Sequence, residues 1–241
     1  MTRFPYSLDA APVPRAFGLV VLQVDETIEP DFRRLMPAGA ALYVSRVPSG
    51  AELMPETIAG MEADLPRAAA LLPQAPDYDA VGYACTSGTA QLGAGTVEAL
   101  VRGACRTARV CNPLTAAVAA CGALGAARVG VVSPYIPAVA APLLRAFAGA
   151  GIETPQVASF GEEVEANVAR IDAASVAAAA RSVAQGAEAV FLSCTNLRTL
   201  DLVGPLEAEL GVPVFGSNLA LAWAMAGRDC AFDCALTRAE A

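Results

Sequence analysis

The chain has 241 residues, of which 55 % are hydrophobic and 17 % are charged, and its formal net charge is −8. This length fits one large domain or two small ones, and the apolar fraction builds a sizeable core and is too high for a disordered chain. The acidic balance and the lack of a basic run argue against nucleic-acid binding. The absence of histidine excludes Ser-His-Asp triads, Cys-His proteases, HExxH metalloproteases and imidazole-ligated metals.

The first 15 residues are polar and contain prolines, without the apolar segment of a signal peptide, so we interpret residues 1–15 as an N-terminal extension. The longest uncharged stretch, 110–127, is interrupted by Asn112, Pro113 and two glycines. It predicts a buried helix with its turns, because a membrane span needs about 20 continuous apolar residues. Seven cysteines without CxxC spacing fit the reduced thiols of a cytoplasmic protein.

Strand-like apolar runs alternate with alanine-rich, helix-like runs along the chain. The predicted strands are Phe17–Leu22, Ala41–Val47, Ala80–Ala84, Ala108–Val110, Arg128–Val132, Ala189–Ser193 and Val212–Phe215. The predicted helices are Thr57–Leu72, Thr96–Thr107, Thr115–Leu124, Ala138–Ala148, Ala173–Gln185, Pro205–Leu210 and Leu219–Met225. Most strands are continuously apolar, which is typical of parallel strands buried on both faces. The alternation predicts an α/β fold.

Similar segments recur along the chain at a nearly constant spacing. Gly18–Gln23 resembles Gly130–Tyr135, and Tyr78–Thr86 resembles Ala187–Thr195, with a Cys-Thr pair at the end of both. We interpret this recurrence as a tandem duplication of an α/β unit of about 110 residues. The alternative is that all parallel α/β units look alike. The duplication divides the chain after its N-terminal extension into two lobes: 16–117, to which 214–241 returns, and 118–213.

Two cysteines occupy equivalent places in this repeat. Cys85 and Cys194 each end a predicted buried strand and precede small polar residues. Ligands of open parallel sheets bind beyond the carboxyl ends of the strands, where backbone N–H groups bind anions and lower a thiol pKa. Two facing lobes would place the thiols on opposite sides of one cleft. That arrangement suits two-sided proton transfer next to a carboxylate, or addition by one sulfur with the other as acid; the alternative is that both cysteines only fill the core.

Other polar residues at the predicted strand ends are candidates for binding a substrate carboxylate. The hydroxyls of Thr86, Ser87 and Thr195 donate hydrogen bonds without adding charge, although Ser87 suits a turn equally well. Tyr135 lies at the end of a strand, where its phenol either donates to a substrate or packs beside the neighbouring prolines.

The cysteine segments resemble a known family. Ala84–Ser87 is similar to the first cysteine motif of the Asp/Glu racemase superfamily, and Ser193–Asn196 is similar to the second. The chain most resembles the maleate cis-trans isomerase and arylmalonate decarboxylase branch, and within it the ectoine-utilisation proteins. There, Val131–Tyr135 resembles the segment that carries a substrate-binding tyrosine, and Asn167 resembles a substrate-binding asparagine. The resemblance covers about residues 16–226.

The resemblance implies a fold and a chemistry. The fold is two pseudo-symmetric flavodoxin-like lobes, each a parallel sheet covered by helices, with the active site between them and no metal or organic cofactor. The arylmalonate decarboxylases carry glycine at the first cysteine position, so the presence of both thiols favours an isomerase or racemase. In cis-trans isomerisation Cys85 would be the nucleophile and Cys194 the acid, whereas in racemisation the two would act as opposed base and acid.

Asp25 departs from the family pattern, because the maleate isomerases carry asparagine there. An ionised Asp25 would repel a dicarboxylate and suit an amino-bearing substrate. The alternative is that Asp25 or Thr27 caps the following helix.

The expected function is therefore a cofactor-independent isomerase or racemase of a small carboxylic acid. Two alternatives remain open: an arylmalonate-type decarboxylase that retains an extra cysteine, and a two-lobed small-molecule sensor or binding protein. We expect no nucleic-acid or membrane partner, and the many alanines and glycines are compatible with close helix packing in a homo-oligomer.

Overall fold

The computed structural model describes residues 1–8, 15–52 and 54–239. Residues 9–14 of the predicted N-terminal extension lie outside the described residues. The strands are β1 Ala16–Leu22, β2 Ala41–Val47, β3 Ala80–Ala84, β4 Val110–Cys111, β5 Val129–Tyr135, β6 Val157–Glu162, β7 Ala189–Leu192 and β8 Val214–Gly216. The helices are α1 Ile28–Leu35, α2 Pro55–Ala70, α3 Thr86–Leu92, α4 Ala94–Arg102, α5 Pro113–Ala123, α6 Pro137–Gly149, α7 Glu165–Val168, α8 Ala173–Val183, α9 Val203–Leu210, α10 Ser217–Ala226 and α11 Ala235–Arg238.

The strands form two four-stranded sheets of the same topology. One has the order β2-β1-β3-β4 and the other β6-β5-β7-β8. All the pairings are parallel, and helices cover both sheets. The predicted α/β fold with two pseudo-symmetric lobes is confirmed, and β3 and β7, which precede the two cysteines, occupy equivalent positions.

Strand β1 shows why a continuous apolar run becomes a central parallel strand. Phe17 and Leu19 belong to one buried apolar cluster, whereas Val20 and Leu22 belong to another. Successive side chains of a strand point to opposite faces, so both faces of this strand are buried.

The edge strand β6 was not predicted from the sequence. Its residues are mostly exposed, and Ser159, Gly161 and Glu162 interrupt the apolar pattern. An edge strand has only one neighbour and needs no continuous apolar run, so this segment lacks the signal that revealed the central strands.

The chain passes from the second lobe back to the first after β8. This strand pairs with β7 within the second sheet, so the return begins after it rather than at the predicted residue 214. Helix α10 then packs mainly against α5 and also against β3 and α1. Helix α5 itself spans the predicted boundary between 117 and 118. The other lobe bounds stay a prediction.

The uncharged stretch 110–127 contains β4 and the largely buried helix α5, in agreement with the predicted buried helix. Among the described residues, no helix combines the length and the apolarity needed to cross a membrane.

Candidate active site

A small cavity lies where the carboxyl ends of the two sheets face each other. The lining side chains nearly fill it and leave free space of only about 10 Å³. Its lining comes from β1, the β3–α3 junction, β5, α7 and the loop after β7: Leu22, Cys85, Thr86, Ser87, Tyr135, Glu165, Cys194 and Thr195. Six of the eight residues predicted for the site thus meet in one place, both cysteines among them.

Cys85 ends β3 and is the N-cap of α3, a helix that the sequence analysis did not predict. Its backbone is extended, with φ of −145°, and its Sγ accepts the N–H of Gly88 at 3.1 Å. A Cβ on Gly88 would lie 2.8 Å from Cys85 Sγ and 2.7 Å from Tyr83 Oη, so glycine is required for this close approach. Burial raises the pKa of Cys85 to about 12, while the Gly88 N–H and the Tyr83 hydroxyl lower it.

Cys194 occupies the equivalent strand end with a different backbone. Its φ is 111°, and it is the one non-glycine residue in the described ranges with a positive φ. Such a conformation costs free energy, so the surroundings must hold it in place. The Cys194 backbone N–H donates to Ser217 Oγ at 3.0 Å. Its Sγ accepts the N–H of Asn196 at 3.3 Å and lies 2.8 Å from Tyr135 Oη.

Tyr135 connects Cys194 to a buried carboxyl group that the sequence analysis missed. The Tyr135 hydroxyl donates to Glu165 Oε1 at 2.7 Å, and Asn196 Nδ2 donates to Glu165 Oε2 at 2.9 Å. Glu165 is only 1 % exposed. Burial raises its pKa, and the hydrogen bonds from Tyr135 and Asn196 lower it. The site therefore holds a carboxyl group that hydrogen bonds, rather than an ion pair, stabilise.

The three residues predicted for their hydroxyls line the cavity, and the hydroxyls of two of them are hydrogen-bonded to the protein. Thr86 Oγ1 lies 3.0 Å from Ser217 Oγ, and Thr195 Oγ1 donates to the Ala84 carbonyl at 3.3 Å. Ser217 was not predicted, yet it joins Thr86 to the backbone of Cys194. The two cysteine segments are thus held together by the first residue of α10.

The model of the arylmalonate decarboxylase family matches residues 64–236. The chain belongs to this family. No curated protein sequence matches it.

Several solved structures share the fold of this family member. The maleate cis-trans isomerase of Nocardia farcinica bound to Tris is 26 % identical, with 93 % of this chain and 98 % of that chain covered and a TM-score of 0.82. A mutant of that enzyme with a covalently bound succinylcysteine intermediate is 24 % identical, with the same coverage and a TM-score of 0.81. A liganded arylmalonate decarboxylase mutant is 24 % identical, covers 88 % and 91 %, and has a TM-score of 0.76. The expected place in the maleate isomerase and arylmalonate decarboxylase branch is confirmed.

Asp25 of this protein is buried beside the cavity and does not line it. Its Oδ1 accepts the backbone N–H groups of Thr27 and Ile28 at 2.8 and 2.9 Å, so it stabilises the start of α1, as one of the two interpretations required. Its Oδ2 forms no well-directed hydrogen bond within the described residues. The Thr195 hydroxyl lies close enough to lower the pKa of Asp25, but burial outweighs it and raises that pKa.

Asn167 does not reach the cavity. It is exposed on α7, where its side chain interacts with Glu162; the backbone N–H groups of Val164 and Glu163 lower the pKa of that carboxyl group more than Asn167 does. Glu165, two residues earlier and on the buried side of the same helix, lines the cavity instead. The short helix α7 turns the two side chains in different directions.

The electrostatics of the cavity favour neutral thiols. Burial raises the pKa of Cys194 well above its ordinary value, and the charge of Glu165 raises it further. None of the lining residues is basic, so a substrate carboxylate would meet hydroxyl and N–H donors rather than a cation. Among the described residues, no cluster of three or more histidine, cysteine, aspartate or glutamate side chains is arranged to hold a metal ion.

Proposed function

We propose that the protein is a cofactor-independent isomerase that uses Cys85 and Cys194 on a small carboxylic acid. The reaction is either cis-trans isomerisation of a maleate-like acid or racemisation of an amino or acylamino acid. The observation that carries this proposal is that both thiols line one enclosed cavity at the facing ends of two equivalent strands.

In the cis-trans reaction the thiolate of Cys85 adds to one alkene carbon and forms a C–S bond. Cys194 donates its proton to the other carbon, so the former double bond becomes a single bond and rotates. Cys194 then takes the proton back, the C–S bond breaks, and the trans acid leaves with both cysteines in their starting states. The succinylcysteine intermediate of the Nocardia farcinica isomerase is an adduct of this kind in that protein.

In racemisation the same two thiols act without a covalent adduct. One thiolate removes the α-proton, and the thiol on the opposite face donates a proton to the planar intermediate. The substrate carboxylate would be bound by Thr86, Ser87 and Thr195, whose hydroxyls line the cavity. An amino-bearing substrate is supported by the buried Asp25 beside this cavity, since its Oδ2 has no well-directed partner among the described residues.

The second candidate function is decarboxylation of a disubstituted malonate, which the family match favours. One solved arylmalonate decarboxylase carries an introduced cysteine in place of a glycine. Because this chain has cysteine at the position that resembles that glycine, isomerisation or racemisation remains the leading proposal. A decarboxylase would need Cys194 as the proton donor and would tolerate the loss of Cys85.

Proton NMR of the reduced protein in deuterated water tests these proposals. Maleate, both enantiomers of aspartate and glutamate, acylated diaminobutyrate and phenylmalonate are offered in turn. We expect either fumarate or deuterium at an α-carbon, and a decrease of at least about 10³-fold in both Cys85→Ala and Cys194→Ala. Cys105→Ala, which removes a buried thiol outside the cavity, is the matched control and should retain full activity.

Two outcomes would contradict the isomerase proposal. Carbon dioxide release from phenylmalonate that survives Cys85→Ala would establish the decarboxylase. Stabilisation by a ligand without turnover, unaffected by the loss of either thiol, would instead support a sensor or binding protein.

A further inference from the structure

Each active-site thiol has a tyrosine hydroxyl beside it, and the two hydroxyls have different second neighbours. Tyr135 lies next to Cys194 and also contacts Glu165. Tyr83 Oη and Cys85 Sγ both flank Gly88, since a Cβ on this glycine would lie 2.7 and 2.8 Å from them, and the Tyr83 hydroxyl donates to Met61 Sδ at 3.9 Å. A phenol has a single proton to donate, so the stronger acceptor determines where that proton points.

On the Cys194 side the proton of Tyr135 goes to the carboxylate. Glu165 Oε1 accepts it at 2.7 Å. The contact of 2.8 Å between Tyr135 Oη and Cys194 Sγ then has only one proton available, that of the thiol. An ionised Glu165 therefore requires Cys194 to be protonated and to donate to the tyrosine.

On the Cys85 side the proton of Tyr83 is free to point to the thiol. A thioether sulfur is a weak acceptor, and the contact with Met61 is long, so it competes poorly with a thiolate. The Gly88 N–H donates to the same Sγ at 3.1 Å. A Cys85 thiolate would thus keep the Gly88 hydrogen bond, and the Tyr83 proton would be free to turn to it from Met61.

We propose that Glu165 is a positioning residue that gives the two thiols different roles. Through Tyr135 it keeps the proton on Cys194, which makes this thiol the acid. Cys85 releases its proton to solvent and, stabilised by Tyr83 and Gly88, becomes the nucleophile. This inference rests on the proposed function and adds to it the group that breaks the symmetry of the two halves.

The other charged groups near the thiols do not create this difference. The charge of Asp25 raises the pKa of both Cys85 and Cys194, and the positive charge of Arg46 acts to lower the pKa of Asp25 itself. The charge of Glu165 also raises the pKa of both thiols, but the hydrogen bonds through Tyr135 connect it to Cys194 alone.

Asn196 makes Glu165→Gln a sharp test of this arrangement. The Asn196 amide is oriented by the Glu26 backbone N–H, which donates to its Oδ1 at 2.8 Å, so its Nδ2 must face residue 165. A glutamine there would present its oxygen to Asn196 and its NH₂ group to Tyr135. The tyrosine oxygen would then accept, and the tyrosine proton would turn to Cys194. The substitution reverses the hydrogen bonds with little change in shape.

The experiment measures the alkylation rates of Cys85 and Cys194 separately, by mass spectrometry, with iodoacetamide between pH 6 and 10. We expect Glu165→Gln to accelerate Cys194 about tenfold at neutral pH, the equivalent of one pKa unit, with a smaller change at Cys85. The control is Glu163→Gln, an exposed carboxylate two residues away that lies outside the cavity lining, and it should change neither rate. Once a substrate is identified, the basic limb of the pH profile of kcat/KM should move to lower pH in Glu165→Gln, because Cys194, the acid, loses its proton at a lower pH.

Tyr83→Phe tests the other half of the assignment and remains informative if Glu165→Gln does not fold. It should slow the alkylation of Cys85 about threefold or more, and leave Cys194 unchanged. The inference would be overturned if iodoacetamide alkylated Cys194 no faster in Glu165→Gln than in Glu163→Gln. It would also be overturned if Tyr83→Phe left the alkylation rate of Cys85 unchanged. If instead the wild-type protein converts no substrate while these alkylation changes appear, the proposed function fails and the assignment of protons stands.

Discussion

The two cysteine segments end equivalent strands of two sheets with the same order, yet they differ in almost every local feature. Cys85 has an ordinary extended backbone and begins a helix. Cys194 has φ of 111° and is followed by an irregular loop. The Cys85 thiol is held by its own helix, whereas the Cys194 thiol contacts Tyr135 and Asn196 and the Cys194 backbone N–H donates to Ser217.

This difference shows what a duplicated fold keeps and what it changes. The strand order keeps both sulfurs at the same edge of their sheets, so the position of each is set by topology. The turn after each strand then decides which donors and acceptors surround the sulfur. Two thiols in equivalent positions are therefore not chemically equivalent, and substitutions can act on one side alone.

After the loss of either thiol itself, the largest expected effect comes from Gly88→Ala, which disrupts the surroundings of Cys85. The new methyl group would lie 2.8 Å from Cys85 Sγ and 2.7 Å from Tyr83 Oη, so the thiol must move away from the Gly88 N–H. A displacement of this size should lower turnover about 10²-fold. The measurement is the initial rate of whichever reaction the NMR assay reveals.

Gly122→Ala is the matched control, because this helical glycine has nothing within 4 Å of a new Cβ. It should leave activity unchanged and slightly raise stability. Full activity in Gly88→Ala would show that Cys85 does not depend on the start of α3.

A second prediction concerns the support of the Cys194 loop from the first lobe. Asn218 Nδ2 donates to Asp31 Oδ2 and to the Thr195 carbonyl, both at 2.8 Å. Burial raises the pKa of Asp31 to about 6. Since the unfolded chain loses this proton near pH 4, the contribution to stability is complete below that pH and is lost as the pH rises through 6.

Asp31→Asn removes this titration and keeps the shape of the side chain. At pH 8 the variant should be more stable than the wild type by roughly 2 kcal/mol, and the difference should shrink toward pH 4. Urea unfolding at both pH values measures it, with the exposed Asp233→Asn as the control. An equal difference at the two pH values would show that Asp31 does not titrate in this range.

The sequence predicted the central architecture well because burial leaves a strong pattern. Strands β2 and β3 were predicted with the bounds that the structure has, and the recurring Cys-Thr pairs indicated the two facing thiols. The short helix α3 was not predicted because the sequence Thr-Ser-Gly-Thr is typical of a turn. The helix start is evident only from the sulfur of Cys85, which caps it.

Glu165 was missed for a different reason. It lies in an acidic segment, and carboxylates in such segments are normally solvated. Its burial depends on Tyr135 and Asn196, which are 30 and 31 residues away in the chain. The φ of Cys194 was equally inaccessible, because neither a cysteine nor its neighbours signal a left-handed backbone. Both features belong to contacts between segments rather than to local pattern.

The smallest expected effect is a difference in stability between glycine and alanine variants at each strand end. It tests the backbone conformations of Cys194 and Cys85 directly. At Cys194 the φ of 111° penalises any side chain, so Cys194→Gly should be more stable than Cys194→Ala by about 1 kcal/mol. At Cys85, where φ is −145°, the order should reverse by roughly 0.5 kcal/mol, because glycine loses more entropy on folding. Chemical denaturation of the four variants measures both differences. Alanine more stable than glycine at both positions would mean that the two strand ends share one backbone conformation, and the contrast between them would then lie in their hydrogen-bond partners alone.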